Sequence, residues 1–165
     1  MKSATATTAK HPLRIAIETR DTEAAAAIIA PDAVLWSPAT GVPFEGREAV
    51  LQTLAALVET YDEIEYTHEL HDDDIVVLAF RGRIAGRPVE AVDVVHLDAD
   101  GLIDEIRVYG RPLTTGANFA AVLGPIVARE RHGRRRASLV RALTRSLPGM
   151  LARADTIAAR LMRPR

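Results

Sequence analysis

Residues 64–109 read IEYTHELHDDDIVVLAFRGRIAGRPVEAVDVVHLDADGLIDEIRVY. Polarity here alternates at every second residue, the mark of strands with one buried face. Ile64 to Leu70 alternates, Asp72-Asp73-Asp74 turns, and Ile75 to Ile84 is a strand followed by the hairpin connection Ala85-Gly86-Arg87-Pro88. Val89 to Leu97 returns, Asp98-Ala99-Asp100-Gly101 turns again, and Leu102 to Tyr109 is the last strand. Four strands joined by short turns predict an antiparallel meander.

Upstream the period is helical. Leu13, Ile17 and Ala24 through Ile29 fall at helical spacing, Asp21 or Thr22 is placed to cap a second helix, and Pro31-Asp32 ends the segment. Ala33 to Trp36 reads as a short strand closed by Ser37-Pro38, and Thr40 to Gly46 as loop. Arg47 to Tyr61 is a helix with Val50, Leu51, Leu54, Leu57 and Val58 on one stripe. Helices first and strands after predict an α+β fold, with helices on one face of a curved sheet.

Downstream, helices are predicted over Asn118–Arg131, Ala137–Leu147 and Met150–Met162, with a kink or reversal at Pro148-Gly149. Leu139, Leu143, Leu147, Met150, Ala154, Ile157 and Leu161 form one apolar seam, expected to pack on the domain. The organisation is thus a flexible tail over 1–11, an α+β domain over 12–115 and an Arg-rich helical extension over 116–165.

The 165 residues suffice for one domain with a real core. Apolar residues make up 48% and charged ones 26%, a globular composition. The absence of cysteine excludes disulfide scaffolds, thiolate zinc sites and cysteine nucleophiles. No apolar run is long enough to span a bilayer, and the start, MKSATATTAKHP, lacks the apolar core of a signal peptide, so a cytoplasmic location is expected. The net charge of −1 hides a split: residues 1–128 carry 10 Lys/Arg against 20 Asp/Glu, and residues 129–165 carry 11 Arg against two acids.

Three stretches carry a family resemblance: Pro31-Asp32-Ala33-Val34, then Gly41-Val42-Pro43-Phe44-Glu45-Gly46-Arg47-Glu48, then Gly86-Arg87-Pro88 with Val92 to Ile103. In this order the chain resembles the SnoaL-like and ketosteroid-isomerase-like branch of the nuclear transport factor 2-like fold over roughly residues 12–112. The resemblance implies a cone-shaped sheet wrapped on the N-terminal helices, an apolar pocket open at one end, and a homodimer. No cofactor and no metal are expected. The family's enzymes place one or two acids inside the pocket.

Under that resemblance Ser37 stands where the isomerase carries its proton-abstracting carboxylate, and Ile15, Ala16 and Ile17 stand where it carries a hydrogen-bonding tyrosine. Serine has no useful basicity without a partner base, which argues against ketosteroid-type isomerisation. Arg81-Gly82-Arg83 likewise lacks the acid of the Arg-x-Asp pair in limonene-epoxide-hydrolase-type relatives. Asp93 does match, at the position of an acid held neutral to donate to an enolate-like oxygen. It shares a strand face with Ala91, Val95 and Leu97, where desolvation disfavours the carboxylate.

His68 alternates with Ile64, Tyr66 and Leu70, and is read as an inward partner for Asp93. Tyr66, Ser37, Leu78, Phe80 and Val95 are expected at the pocket wall. Trp36 falls on the opposite side of its strand, as dimer contact or helix cover, and Val92, Val94 and His96 lie on the outer sheet face, the expected dimer surface, with His96 read as interface or surface. His71 and Asp72 to Asp74 match no calcium or zinc spacing. The lead function is a protein with a pocket for a hydrophobic small molecule, a cofactor-free isomerase, cyclase or hydratase using Asp93 and His68. The rival is a non-catalytic binding module whose basic C-terminal helices dock a partner or an anionic surface. No nucleic acid is expected, because no aromatic interleaves Arg131, Arg134, Arg135 and Arg136. Membrane contact is the less favoured reading of that run, and a solvated linker the favoured one.

Overall fold

The structure, a computed structural model, describes residues 9–162, and the side chains of all of these except 130 and 131. The flexible tail expected over 1–11 lies mostly outside the described residues. Its last residue, His11, is buried and caps α1 (Pro12–Thr19), its Nδ1 accepting from the Leu13 N–H at 3.2 Å. Asp21 caps α2 (Thr22–Ile28) through Oδ1 and the Ala24 N–H, as its position before an alanine run predicts.

Strand β1 (Ile29–Trp36) follows directly and begins four residues before the sequence suggests. Pro31 hides that start: it lacks an N–H, and the register against the neighbouring strand shifts between Ile29 and Val34. Then come β2 (Phe44–Glu45), α3 (Arg47–Thr60), β3 (Tyr61–Asp72), β4 (Ile75–Ile84), β5 (Arg87–Leu97) and β6 (Ile103–Arg111). The six strands form one sheet in the order β2-β1-β6-β5-β4-β3. The meander from β3 to β6 is antiparallel as expected, and β1 joins β6 in parallel. The β4–β5 hairpin turns through Ala85 and Gly86, both with positive φ, the hand that matches strand twist.

One face of the sheet carries Leu35, Val76, Leu78, Phe80, Val95 and Ile106, all buried. Leu13 and Ile17 from α1 and Val50 and Leu54 from α3 cover part of it. The rest is covered by α4 (Thr114–His132), through Phe119, Leu123 and Val127. The helix expected to open an appended extension is therefore a core element. Gly116 allows this, since a Cβ there would sit 2.6 Å from the Pro38 carbonyl oxygen. Asn118 adds a tether by accepting from Arg87 at 3.1 Å.

The remaining helices, α5 (Arg134–Thr144) and α6 (Leu147–Met162), pack mainly on α4. The chain breaks at Arg145-Ser146, ahead of the expected kink, and Pro148 falls in the first turn of α6, where its missing N–H costs nothing. The expected docking of the apolar seam does not occur. Leu139, Leu143, Met150, Ile157 and Leu161 are all exposed, Leu161 by 81%. The surfaces that pack are others: Ala137 is buried, and Val140 lies against Gly124.

Because Phe119 is buried at the centre of the α4 contact, Phe119→Ala is expected to lower unfolding stability by about 3–5 kcal/mol in urea denaturation. Leu161→Ser, on the exposed seam, is expected to change it by less than about 0.5 kcal/mol. Equal small effects at both positions would show that α4 is not part of the core.

Candidate active site

The side chains that converge beneath α4 come from every layer of the fold. A cavity of about 20 Å³ lies between Ile17, the Leu35–Pro38 end of β1, Thr53, Leu54 and Leu57 of α3, the sheet, and Phe119 and Leu123 of α4. It has room for about one water molecule. The sheet contributes Ile64, Tyr66, Phe80, Asp93, Ile106 and Val108. Sequence reasoning placed Ser37, Tyr66, Phe80 and Asp93 together, and all four line this space. Leu78 and Val95 do not: they are fully buried neighbours of Asp93 in the core, Leu78 directly across the β4–β5 ladder. Thr53, Phe119 and Leu123 were not foreseen. Their elements were legible as helices, but nothing local says that α4 folds back over the sheet.

Four polar side chains face the cavity, and two are already engaged. Thr53 Oγ1 donates to the Ala49 carbonyl at 2.8 Å, and Ser37 Oγ accepts from the Ala39 N–H at 3.2 Å. The other two are Tyr66 and Asp93. The Tyr66 hydroxyl and Asp93 Oδ1 are buried with no protein hydrogen-bond partner among the described residues, and so is the hydroxyl of nearby Tyr61. Phe80 packs on both tyrosine rings, with centroids 5.9 Å from Tyr61 and 5.4 Å from Tyr66. The Arg14 guanidinium lies 5.2 Å from the Tyr66 ring centroid.

Burial alone pushes Asp93 up from its ordinary 3.8 to about 7. Both tyrosines are pushed up as well, first by desolvation and then by the nearby Asp93 charge. A neutral carboxylic acid in such a site is a hydrogen-bond donor aimed into an apolar space.

His68 is not part of this site. The β3–β4 register shifts between Tyr66 and His68, so that Tyr66 opposes Phe80 while His68 opposes Ala79. One extra residue in β3 reverses the alternation beyond it. His68 and Leu70 turn outward, and the His68 Nδ1 lies 3.2 Å from Thr67 Oγ1. Glu69 and His71 turn to the other side, where Glu69 accepts from the His11 N–H at 2.6 Å, pairs with Arg14 at 3.1 Å and meets His71 Nε2 at 2.8 Å. His71, just before the Asp72–Asp74 turn, is thus a strand residue held beside the α1 cap, its ring centroid 5.9 Å from that of His11. Trp36 lies under Arg107, whose guanidinium is 5.0 Å from its ring. Among the described residues no acid or histidine cluster suited to a metal ion is present.

The raised pKa has a consequence for stability. Between 3.8 and about 7 the folded protein holds a proton that the unfolded chain has released, so stability is fully present below the lower value and falls as pH rises through the upper one. The gap corresponds to roughly 4 kcal/mol for this buried group. Asp93→Asn has no such dependence. Its stability relative to the wild type is expected to rise from pH 4 to about pH 7 and to level off above that in denaturant titrations. A constant difference would mean that Asp93 titrates normally.

Residues 13–106 match the family model of the SnoaL-like domain. Among solved structures, a steroid delta-isomerase from Pseudomonas aeruginosa is 28% identical, with a TM-score of 0.62, over 71% of this chain and 84% of that one. An uncharacterised protein with a cystatin-like fold from Silicibacter pomeroyi is 21% identical, with a TM-score of 0.65, over 78% and 92%. A putative SnoaL-like polyketide cyclase from Shewanella denitrificans is 14% identical, with a TM-score of 0.51, over 61% and 85%, a likeness of fold alone. No curated protein matches the chain. With its helix-lined sheet and a family match over more than half its length, this chain belongs to the SnoaL-like domain family of the nuclear transport factor 2-like superfamily.

Proposed function

We propose that the chain binds a small, largely apolar carbonyl compound over Asp93, and that neutral Asp93 donates a hydrogen bond to the carbonyl oxygen as negative charge develops there. The observation that carries this reading is the Asp93 carboxyl: buried, raised to about 7 and without a protein partner at Oδ1. A donor preorganised in a dry site stabilises an enolate far better than water does. Tyr66 is the second donor, its hydroxyl raised and unpartnered on the same wall. The reaction class is a cofactor-free isomerisation, cyclisation or hydration. The relative named a steroid delta-isomerase supports this class as an analogy.

A second reading, binding without turnover, is favoured by Ser37. Its hydroxyl is committed to the Ala39 N–H, and no cavity side chain besides Asp93 can exchange a proton near neutrality. In either case a ligand larger than water needs the cavity lining, which includes Phe119 and Leu123, to move. The outer sheet face, with Val92, Val94 and His96 half-buried and Tyr109 exposed, is the surface proposed for a homodimer. A monomer by light scattering at micromolar concentration would overturn that assembly.

The binding reading is tested with 4-nitrophenol, whose phenolate mimics an enolate and absorbs in the visible. Phe119→Ala enlarges the cavity and is expected to bind it more tightly than the wild type. Adding Asp93→Leu to that variant is expected to weaken binding at least about tenfold, since a charge-assisted hydrogen bond is lost. Equal affinities with and without Asp93 would refute the proposal. Turnover of a β,γ-unsaturated ketone by Ser37→Asp but not by the wild type would select the second reading.

A further inference from the structure

The two helices that pack outside the core carry an uncovered apolar surface with a basic border. On α6, Met150, Ala154, Ile157 and Leu161 recur at intervals of four and three, so they lie along one stripe, and all four are exposed. Leu151 and Ala158, on the adjoining side, are the half-buried ones. Arg153 and Arg160 stand three residues after Met150 and Ile157 and therefore border the stripe. On α5, Leu139 and Leu143 are exposed one turn apart, with Arg135 and Arg136 one turn before Leu139. Another face of α5 joins the end of α4 in a groove lined by Arg129, Arg134, Arg141 and Arg145.

None of these eight arginines has an ion-pair partner among the described residues, and Asp155 is the one acid on α5 and α6. In the domain, by contrast, Arg14, Arg81, Arg83, Arg107 and Arg111 are each paired with a glutamate, and Arg20, Arg47 and Arg87 donate to carbonyl or amide oxygens. The cationic surface is thus segregated, unpaired and interleaved with large apolar side chains.

We propose that α5 and α6 seat this protein on an anionic lipid surface, with Leu139, Leu143, Met150, Ile157 and Leu161 in the headgroup–acyl boundary and the arginines on lipid phosphates. A bilayer interface takes up both chemistries at once. Nucleic acid would pair the arginines and leave the apolar stripe in water. A second copy of the same helices would bring like charge against like charge. The 16 residues of α6 extend about 24 Å, enough to lie along a surface. Among the described residues no helix is long and apolar enough to cross a membrane, so the mode is peripheral. The arginine groove adds to the field that draws the chain toward anionic lipid.

The test is co-sedimentation of the full chain with vesicles of phosphatidylcholine alone or with about 30% phosphatidylglycerol. The wild type is expected to partition at least about tenfold more strongly to the anionic vesicles, and to lose that preference between about 0.05 and 0.5 M salt. Ile157→Glu with Leu161→Glu, both at exposed positions, is expected to abolish binding with an unchanged melting temperature. Arg153→Gln with Arg160→Gln is expected to weaken it several-fold. Three results would overturn the proposal: no preference for anionic vesicles, full binding by the Ile157→Glu/Leu161→Glu variant, or a wild-type dimer that those substitutions dissociate and that vesicles do not displace. Tighter binding to duplex DNA than to anionic vesicles at the same salt would transfer the surface to nucleic acid.

Discussion

A sheet of six strands with one apolar face must have that face covered, and α1 and α3 are too short to cover all of it. Phe119 fills what they leave. It stands at 1% exposure, with Tyr61 edge-on at 6.3 Å, and with Leu123 it closes the space over Asp93. The approach of α4 depends on a missing side chain at Gly116 against the Pro38 carbonyl. Ser37 and Pro38, at the end of β1, thereby become both a wall of the cavity and a seat for the helix that seals it. Stability and access to the site are set by the same contact.

That closure defines the chemistry. Asp93 lies on a central strand, between β4 and β6, with Leu78 across one ladder and Val108 across the other. An acid there has no solvent to support its charge, and no arginine or lysine lines the cavity. Desolvation therefore works unopposed, and the group stays largely neutral up to about pH 7. A bordering cation would have produced a carboxylate and a different kind of site. Glu69 shows the contrast within the same protein: flanked by Arg14, His71 and the His11 N–H, its carboxyl is held below its ordinary value despite partial burial.

The chain also separates its charges by function. Acids and bases in the α+β domain neutralise one another across neighbouring strands, as between Glu65 and Arg81 or Glu90 and Arg111. Surface pairs of this kind add little stability and engage only some of the acids, so the domain as a whole stays acidic. Beyond α4 the arginines have no such counterparts among the described residues, and the apolar side chains that accompany them face outward. Packing of Ala137 and Val140 on α4 uses the small residues of α5 and keeps the large ones free.

Much of this was legible in the chain itself. Period-two alternation from β4 to β6, the turn residues between them, the Asp21 cap and the apolar face around Asp93 are local, and local sequence determined them. So was the family resemblance, since its motifs lie in turns and strand ends whose backbone demands particular residues. Three features were not local, and tertiary structure decided them. A single inserted residue in β3 turned His68 away from Asp93 and brought Glu69 and His71 toward His11, because register is settled by the partner strand and not by the strand's own pattern. The return of α4 over the sheet depended on space that only the assembled core defines. The seam on α5 and α6 had the periodicity of a buried face, yet it remained outside. Helical spacing states which residues share a face, and the neighbours available to a helix determine whether that face is covered.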